Sequence, residues 1–300
     1  MVRALPLVLL FLSFNNCHSG IIGGLFVEDI ANKLVQQVLP RKLVLDPELA
    51  LPFMACLRGK NREGNSYHML CSATIIGKRH ILTAAHCYYG LFGRHQREAS
   101  KSRIKRETLE KLRIRVGDTM AGPGEFFEID KIFLRPRSNY TNYDDIMVVQ
   151  LKESITFDNL TKGIVKLARN VEPKPGMEYD VAGFGNHTND GKNFDSPDTY
   201  TFNSIKVRED AFCKKFLRKR EYCAGGEDQG TMGGDSGGPM YSRVKPRYQV
   251  GIIARGATEH KTLGDKAVLL DHGAYTKVAP YCDFIEKVTK GEVKCENVDW

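Results

Sequence analysis

No apolar run in this 300-residue chain reaches the ~20 residues that a helix needs to cross a bilayer core, so a helical membrane span is not expected. No internal repeat is visible, which argues against solenoid and propeller arrays, and no long low-complexity tract interrupts the chain. No two of the eight cysteines stand at zinc-ligand spacing, and no metal site or cofactor motif is expected. What remains is ordinary globular material. With 42% hydrophobic and 27% charged residues, the chain can bury one large core or two smaller ones.

Residues 1–20, MVRALPLVLLFLSFNNCHSG, run from Arg3 through an apolar stretch, Ala4 to Phe14, into small polar residues. This is the pattern of a cleaved secretory signal peptide, and an extracellular protein is expected. Export changes how the cysteines read, because thiols that leave the reducing cytosol tend to pair. Cys17 departs with the signal, leaving Cys56, Cys71, Cys87, Cys213, Cys223, Cys282 and Cys295. The number is odd, so one thiol stays free or joins another molecule. Sequons at Asn139, Asn159 and Asn186 suit glycosylation in the same compartment, with unmodified surface turns as the plain alternative.

Short β-branched or aromatic runs dominate the pattern: ATIIG, EFFEIDKIFL, DIMVVQL, YDVAGFG and YQVGIIA, each bounded by Gly, Asn, Asp or Pro. Many short strands predict an all-β sandwich or barrel. Two segments look different: the charged stretch 102–116 suits a short helix within it, and 280–290 has a helical period that ends at Gly291. The second suits a terminal helix docked on a β body.

TMGGDSGGPMYS, residues 231–242, sets Ser236 among four glycines and a proline, directly after Asp235. A serine hydroxyl is a poor nucleophile at neutral pH and needs an imidazole to take its proton and a carboxylate to orient that imidazole. ILTAAHCYYG carries His86 at the end of one strand-like run, and NYDDIMVVQL carries Asp145 at the start of another.

The blocks TAAHC, DDIMVVQL and GDSGGP, in that order, resemble the three signature blocks of the chymotrypsin-like (trypsin-family) secreted serine peptidases. The resemblance runs from about residue 52 onward and extends to Cys71, VAGFG, YCAG at 222–225 and AYTKVAPY at 274–281. It implies two packed antiparallel six-stranded β-barrels with a C-terminal α-helix, the first barrel ending near residue 160. It implies Ser236 as nucleophile, His86 as general base and then acid, and Asp145 as the group that fixes the imidazole. Asp144 is the neighbouring carboxylate, but Asp145 directly precedes the apolar strand. The backbone N–H groups of Gly234 and Ser236 would form the oxyanion hole. Disulfides Cys71–Cys87 and Cys213–Cys223 are implied as well, whereas Cys56, Cys282 and Cys295 cannot be apportioned.

In the family, the carboxylate at Asp235 pairs with an N-terminal ammonium freed by a zymogen cut. Two starts stay open here: Ile21, in Ile21-Ile22-Gly23-Gly24, and Leu43, after the basic pair Arg41-Lys42. Residues 21–42 then read as a propeptide or extension and 43–300 as the peptidase domain, with an activating protease as a partner. The resemblance puts Gly230 and Thr231 at the floor of the specificity pocket and Gly256 and Gly273 in its walls. An uncharged floor predicts an apolar or aromatic residue before the cut. Met232 and Ser242 stand where the family often has cysteine, and Ala254 and Arg255 where it usually has a serine and a tryptophan.

The net charge of +8 is concentrated at 94–115, where nine Lys and Arg face three glutamates. A solvated loop is the plain reading, and an acidic glycan is the partner the functional reading suggests. Nucleic acid is not expected, and the protein is expected to be a monomer. Two functions follow. One is a secreted serine endopeptidase without cofactor; the other is a catalytically silent relative used for binding.

Overall fold

Where β-branched and aromatic residues alternate or run together, strands form. The computed structural model describes residues 42–43, 50–61, 63–64, 66–92, 104, 106–118, 124–135, 144–158, 160–185, 200–213, 215–263 and 266–299. The predicted signal, residues 21–41, Asn139, Asn159 and Asn186, and residues 94–103 and 105 of the basic segment lie outside the described residues.

In chain order the strands are Lys42–Leu43 (β1), Met54–Lys60 (β2), Tyr67–Gly77 (β3), His80–Thr83 (β4), Leu112–Val116 (β5), Glu125–Leu134 (β6), Met147–Leu151 (β7), Lys166–Ala168 (β8), Glu178–Gly183 (β9), Thr201–Arg208 (β10), Glu221–Ala224 (β11), Pro239–Tyr241 (β12), Tyr248–Leu263 (β13), Lys266–Lys277 (β14) and Cys295–Glu296 (β15). The α-helices are short: His86–Phe92 (α1), Arg106–Leu109 (α2) and Cys282–Val288 (α3).

Strands β2, β3, β4, β7, β6 and β5 pair antiparallel in that order and close into a barrel. Leu57, Ile75, Ile81, Leu82, Ile114 and Val148 are among the buried side chains of the hydrophobic core built on it. The second sheet follows the order β12, β9, β10, β11, β14, β13, and a pairing of β12 with β13 returns it to its start. Strands β8 and β15 extend it in parallel pairings, and β1 adds to β10 through Lys42 opposite Phe202 and Leu43 opposite Thr201. The described residues are therefore all-β in class, with a closed six-stranded barrel, a second sheet and few helices.

The short helix expected within 102–116 is present. Only Arg106–Leu109 is α-helical among its described residues, and Leu112–Val116 is β5. LRIRV alternates with period two, and its Leu112, Ile114 and Val116 enter the barrel core. Arg115 is buried too, and its guanidinium pairs with Asp118. At the C-terminus, residues 279–281 form a 3-10 turn at Pro280 and α3 continues from Cys282. α3 ends at Val288, and the chain turns off it through Lys290 and Gly291, where φ is +55° and +80°.

The structure contains the disulfides Cys71–Cys87, Cys213–Cys223 and Cys282–Cys295. The third pins α3 to β15. Cys56, on β2, is left as a buried free thiol, and burial, with the nearby Asp118 carboxylate, pushes its pKa up to about 12. Such a thiol is inert packing at neutral pH.

His80 begins β4 and is also buried; desolvation lowers its pKa, outweighing the opposing pull of Glu292. A depressed imidazole stabilises the fold fully above its ordinary pKa of about 6.5 and loses that contribution as pH falls through this value, because the unfolded chain binds the proton first. Urea unfolding at pH 7.5 and 5.5 should therefore show a loss of stability that is smaller in His80→Gln. Equal losses in both proteins would contradict this.

Candidate active site

Three segments converge on one cleft. The turn after β4 places His86 at the start of α1, between the buried Ala85 and the Cys71–Cys87 disulfide that ties α1 to β3. Closing a loop of this separation, 16 residues, stabilises the fold by ~3 kcal/mol. Asp145 directly precedes the buried Ile146 and β7, and Ser236 lies in the glycine-rich connection between β11 and β12. His86, Asp145 and Ser236 all line a cleft of about 470 Å3.

Asp145 grips His86 twice. The backbone N–H of His86 donates to Oδ1 at 2.8 Å, and ring nitrogen Nδ1 meets Oδ2 at 2.8 Å. The carboxylate side chain is 1% exposed and the imidazole 29%. Burial alone would raise the pKa of Asp145. The charge and two hydrogen bonds of His86, helped by Arg255, more than offset it and hold the carboxyl below the usual range. An ionised Asp145 keeps the proton on Nδ1 and leaves Nε2 as the basic nitrogen. Sulfurs of Cys71 and Cys87 also lie within 4.8 Å of this ring, but joined as a disulfide they offer no thiolate to a metal.

The loop around Ser236 is held from both sides. Ser72, on β3, donates from its backbone N–H and its hydroxyl to the carbonyl of Gly234, at 3.2 and 2.9 Å, while its hydroxyl accepts from Phe184 N–H at 2.9 Å. Gly234 itself has φ of +98°, and an added Cβ would stand 2.9 Å from the Cα of Gly185, so only glycine fits without strain. The buried Asp235 carboxylate accepts from Gly185 N–H at 2.8 Å and Met232 N–H at 2.7 Å. It faces a small cavity lined also by Val181, Thr201 and Phe202. Sequence reasoning missed Ser72, whose role depends on a partner 162 residues away.

No cysteine braces the loop at Met232, yet it is not loose. Asp228 N–H donates to Leu269 O at 2.7 Å, Leu269 N–H donates to Asp228 Oδ1 at 3.1 Å, and Asp271 N–H donates to Gly226 O at 3.0 Å. The charged segment 257–272 is thus ordered in large part as the β13–β14 hairpin, with β14 serving as the brace.

Of the expected pocket residues, Thr231 and Gly256 line the cleft, together with Met232, Ile253 and Thr258. Gly230 and Gly273 are not part of the lining, since Gly230 is backed by the Asp271 carboxylate and Gly273 by the ring of Tyr275. Asp271 takes the room that a side chain at Gly230 would need and is itself only 2% exposed. Arg218 and Arg255 also face the cleft.

Residues 46–285 match the family model described as Trypsin. The chain belongs to the trypsin family. Relatives within this trypsin-like group include granzyme B of Rattus norvegicus, 29% identical over 247 residues, a match covering 80% of this chain and 86% of granzyme B. The CLIP domain-containing serine protease B9 of Anopheles gambiae is 26% identical over 254 residues, and the match covers 80% of this chain but only 60% of that relative. Among solved structures, neuropsin, a serine protease of mouse brain, superposes with a TM-score of 0.59 at 23% identity, covering 83% of this chain and 99% of neuropsin. At that identity the likeness is one of fold. It is the trypsin-family architecture of paired β units described above.

Proposed function

We propose that this trypsin-family chain is a secreted serine endopeptidase, made as a zymogen, that hydrolyses peptide bonds through an acyl-enzyme. The observation that carries the reading is the double hydrogen bond from His86 to a buried, ionised Asp145 in the cleft that also contains Ser236. His86 Nε2 takes the proton of Ser236 as Oγ bonds to the scissile carbonyl carbon. The carbonyl oxygen gains the charge, and N–H groups of Gly234 and Ser236 stabilise it. His86 then returns the proton to the departing amine, and water repeats the sequence on the ester, releasing the acid and free Ser236.

Activation fits the surroundings of Asp235. Thr201 and Phe202, beside the Asp235 cavity, are the residues that pair with Leu43 and Lys42. The chain at the candidate cut between Lys42 and Leu43 thus passes next to the carboxylate that would receive a new ammonium.

For the residue before the cut, we retain an apolar or aromatic side chain, because Met232, Ile253 and the Cα of Gly256 face the cleft while Asp271 lies behind Gly230. Peptides that differ only in Phe or Arg before the cut test this on the processed protein. A preference for Phe of about 10-fold or more in kcat/KM is expected. Preference for Arg would mean that the substrate reaches Asp271, and hydrolysis of neither would favour a silent binding protein.

A further inference from the structure

Arg255, in the cleft wall on β13, brings its guanidinium to 3.9 Å from the Asp145 carboxylate. We infer that Arg255 is a positioning residue that supports Asp145 and, balanced by Glu221, sets the charge felt by the His86–Asp145 pair. This rests on the catalytic reading of that pair given above.

The backbone aims the side chain. Along β13 and β14, Ile253 pairs with Tyr275 and Arg255 with Ala274, so the register slips at Ala254. A bulge of this kind adds local twist and redirects the following residue. Arg255 then crosses the cleft wall with its guanidinium fixed at three points. Nε donates to Phe216 O at 3.3 Å, Nη2 donates to Glu221 Oε2, and Nη1 stands 3.9 Å from Asp145 Oδ2. Glu221, on β11, is 3% exposed at its side chain, and the same Oε2 accepts from Arg218 N–H at 2.7 Å. Planar, always-charged guanidinium suits this arrangement, because an anchored fork loses little freedom in presenting its remaining edge.

The consequence is electrostatic as well as mechanical. A cation 3.9 Å from Oδ2 draws on the Asp145 charge and weakens it as an acceptor for the Nδ1 proton. Glu221 cancels part of that field. The other groups around the pair do not duplicate it: the Cys71 and Cys87 sulfurs form a disulfide, and Asp144 faces Arg135, Arg220 and Tyr281. Arg218, at the cleft wall, holds Glu221 through its backbone.

Opposite changes in two variants separate this role from simple packing. The Nδ1 proton resonance of His86, read by NMR in the full processed protein, reports hydrogen bonding to Asp145 whether or not any peptide is cut. It should move downfield in Arg255→Met and upfield in Glu221→Gln, and return toward wild type in Arg255→Lys. In step, the acid midpoint of the kcat/KM–pH profile should rise by about 0.5–1 pH unit in Arg255→Met and fall in Glu221→Gln. If Glu221→Gln does not fold, the Met and Lys variants at 255 carry the comparison. A folded Arg255→Met protein with unmoved resonance and midpoint would overturn the role of Arg255 alone. Resonances that move as described in a protein that cleaves nothing would support that role and reject the peptidase reading.

Discussion

Ser236→Ala is expected to lower kcat/KM by on the order of 10^4- to 10^6-fold, while the urea midpoint stays close to that of the wild type. The size of the effect follows from the division of labour in the cleft. His86 and Asp145 contact each other through two bonds of 2.8 Å that do not involve Ser236, so their arrangement should survive the substitution. What disappears is the hydroxyl oxygen proposed to form the acyl bond. Rate enhancement left behind would come from binding and the backbone donors, and adding His86→Ala should then cost little more. Hydrolysis within about 10-fold of the wild type would mean that another group performs the attack.

Asp235→Ala should be damaging in a different way, lowering both activity and stability. Its carboxylate accepts from Gly185 N–H and Met232 N–H, at 2.8 and 2.7 Å, and is 2% exposed. Truncation leaves these donors without that acceptor, at a cost of about 1–3 kcal/mol each where water cannot enter. The same bonds fix the segment from Met232 to Ser236, so the N–H groups proposed to bind the oxyanion would lose their alignment; one such donor is worth ~3 kcal/mol in rate. A fall in kcat of about 100-fold or more together with a lower urea midpoint is expected. Loss of activity with unchanged stability would confine Asp235 to the activation step, and unchanged values of both would contradict its place in the loop.

Much of the fold was legible because the strands carry strong local signals. EFFEIDKIFL is a strand over its full length, and its boundaries needed no tertiary information. LRIRV was not legible in the same way: three apolar residues among arginines look like a charged helix until the barrel core supplies a reason for their alternation. Cysteine pairing shows a different limit. Cys282 and Cys295 meet because α3 docks against β15, whereas sequence alone treats them and Cys56 alike.

The candidate site divides along the same line. His86, Asp145 and Ser236 stand in contiguous blocks whose residue types announce their chemistry. Ser72 under Gly234, Asp271 behind Gly230 and Arg255 beside Asp145 are relations between distant strands, and nothing in their local sequence marks them. Met232 stands where the family often has cysteine, and the β14 backbone supplies bonds that hold the loop.

Treatment of the processed protein with a fluorophosphonate, followed by mass mapping, tests the central claim most directly. Phosphonylation of Ser236 in the wild type, abolished in His86→Ala although Ser236 is still present, is the result predicted. A correctly folded and processed wild-type protein that carries no adduct at Ser236 would contradict the account.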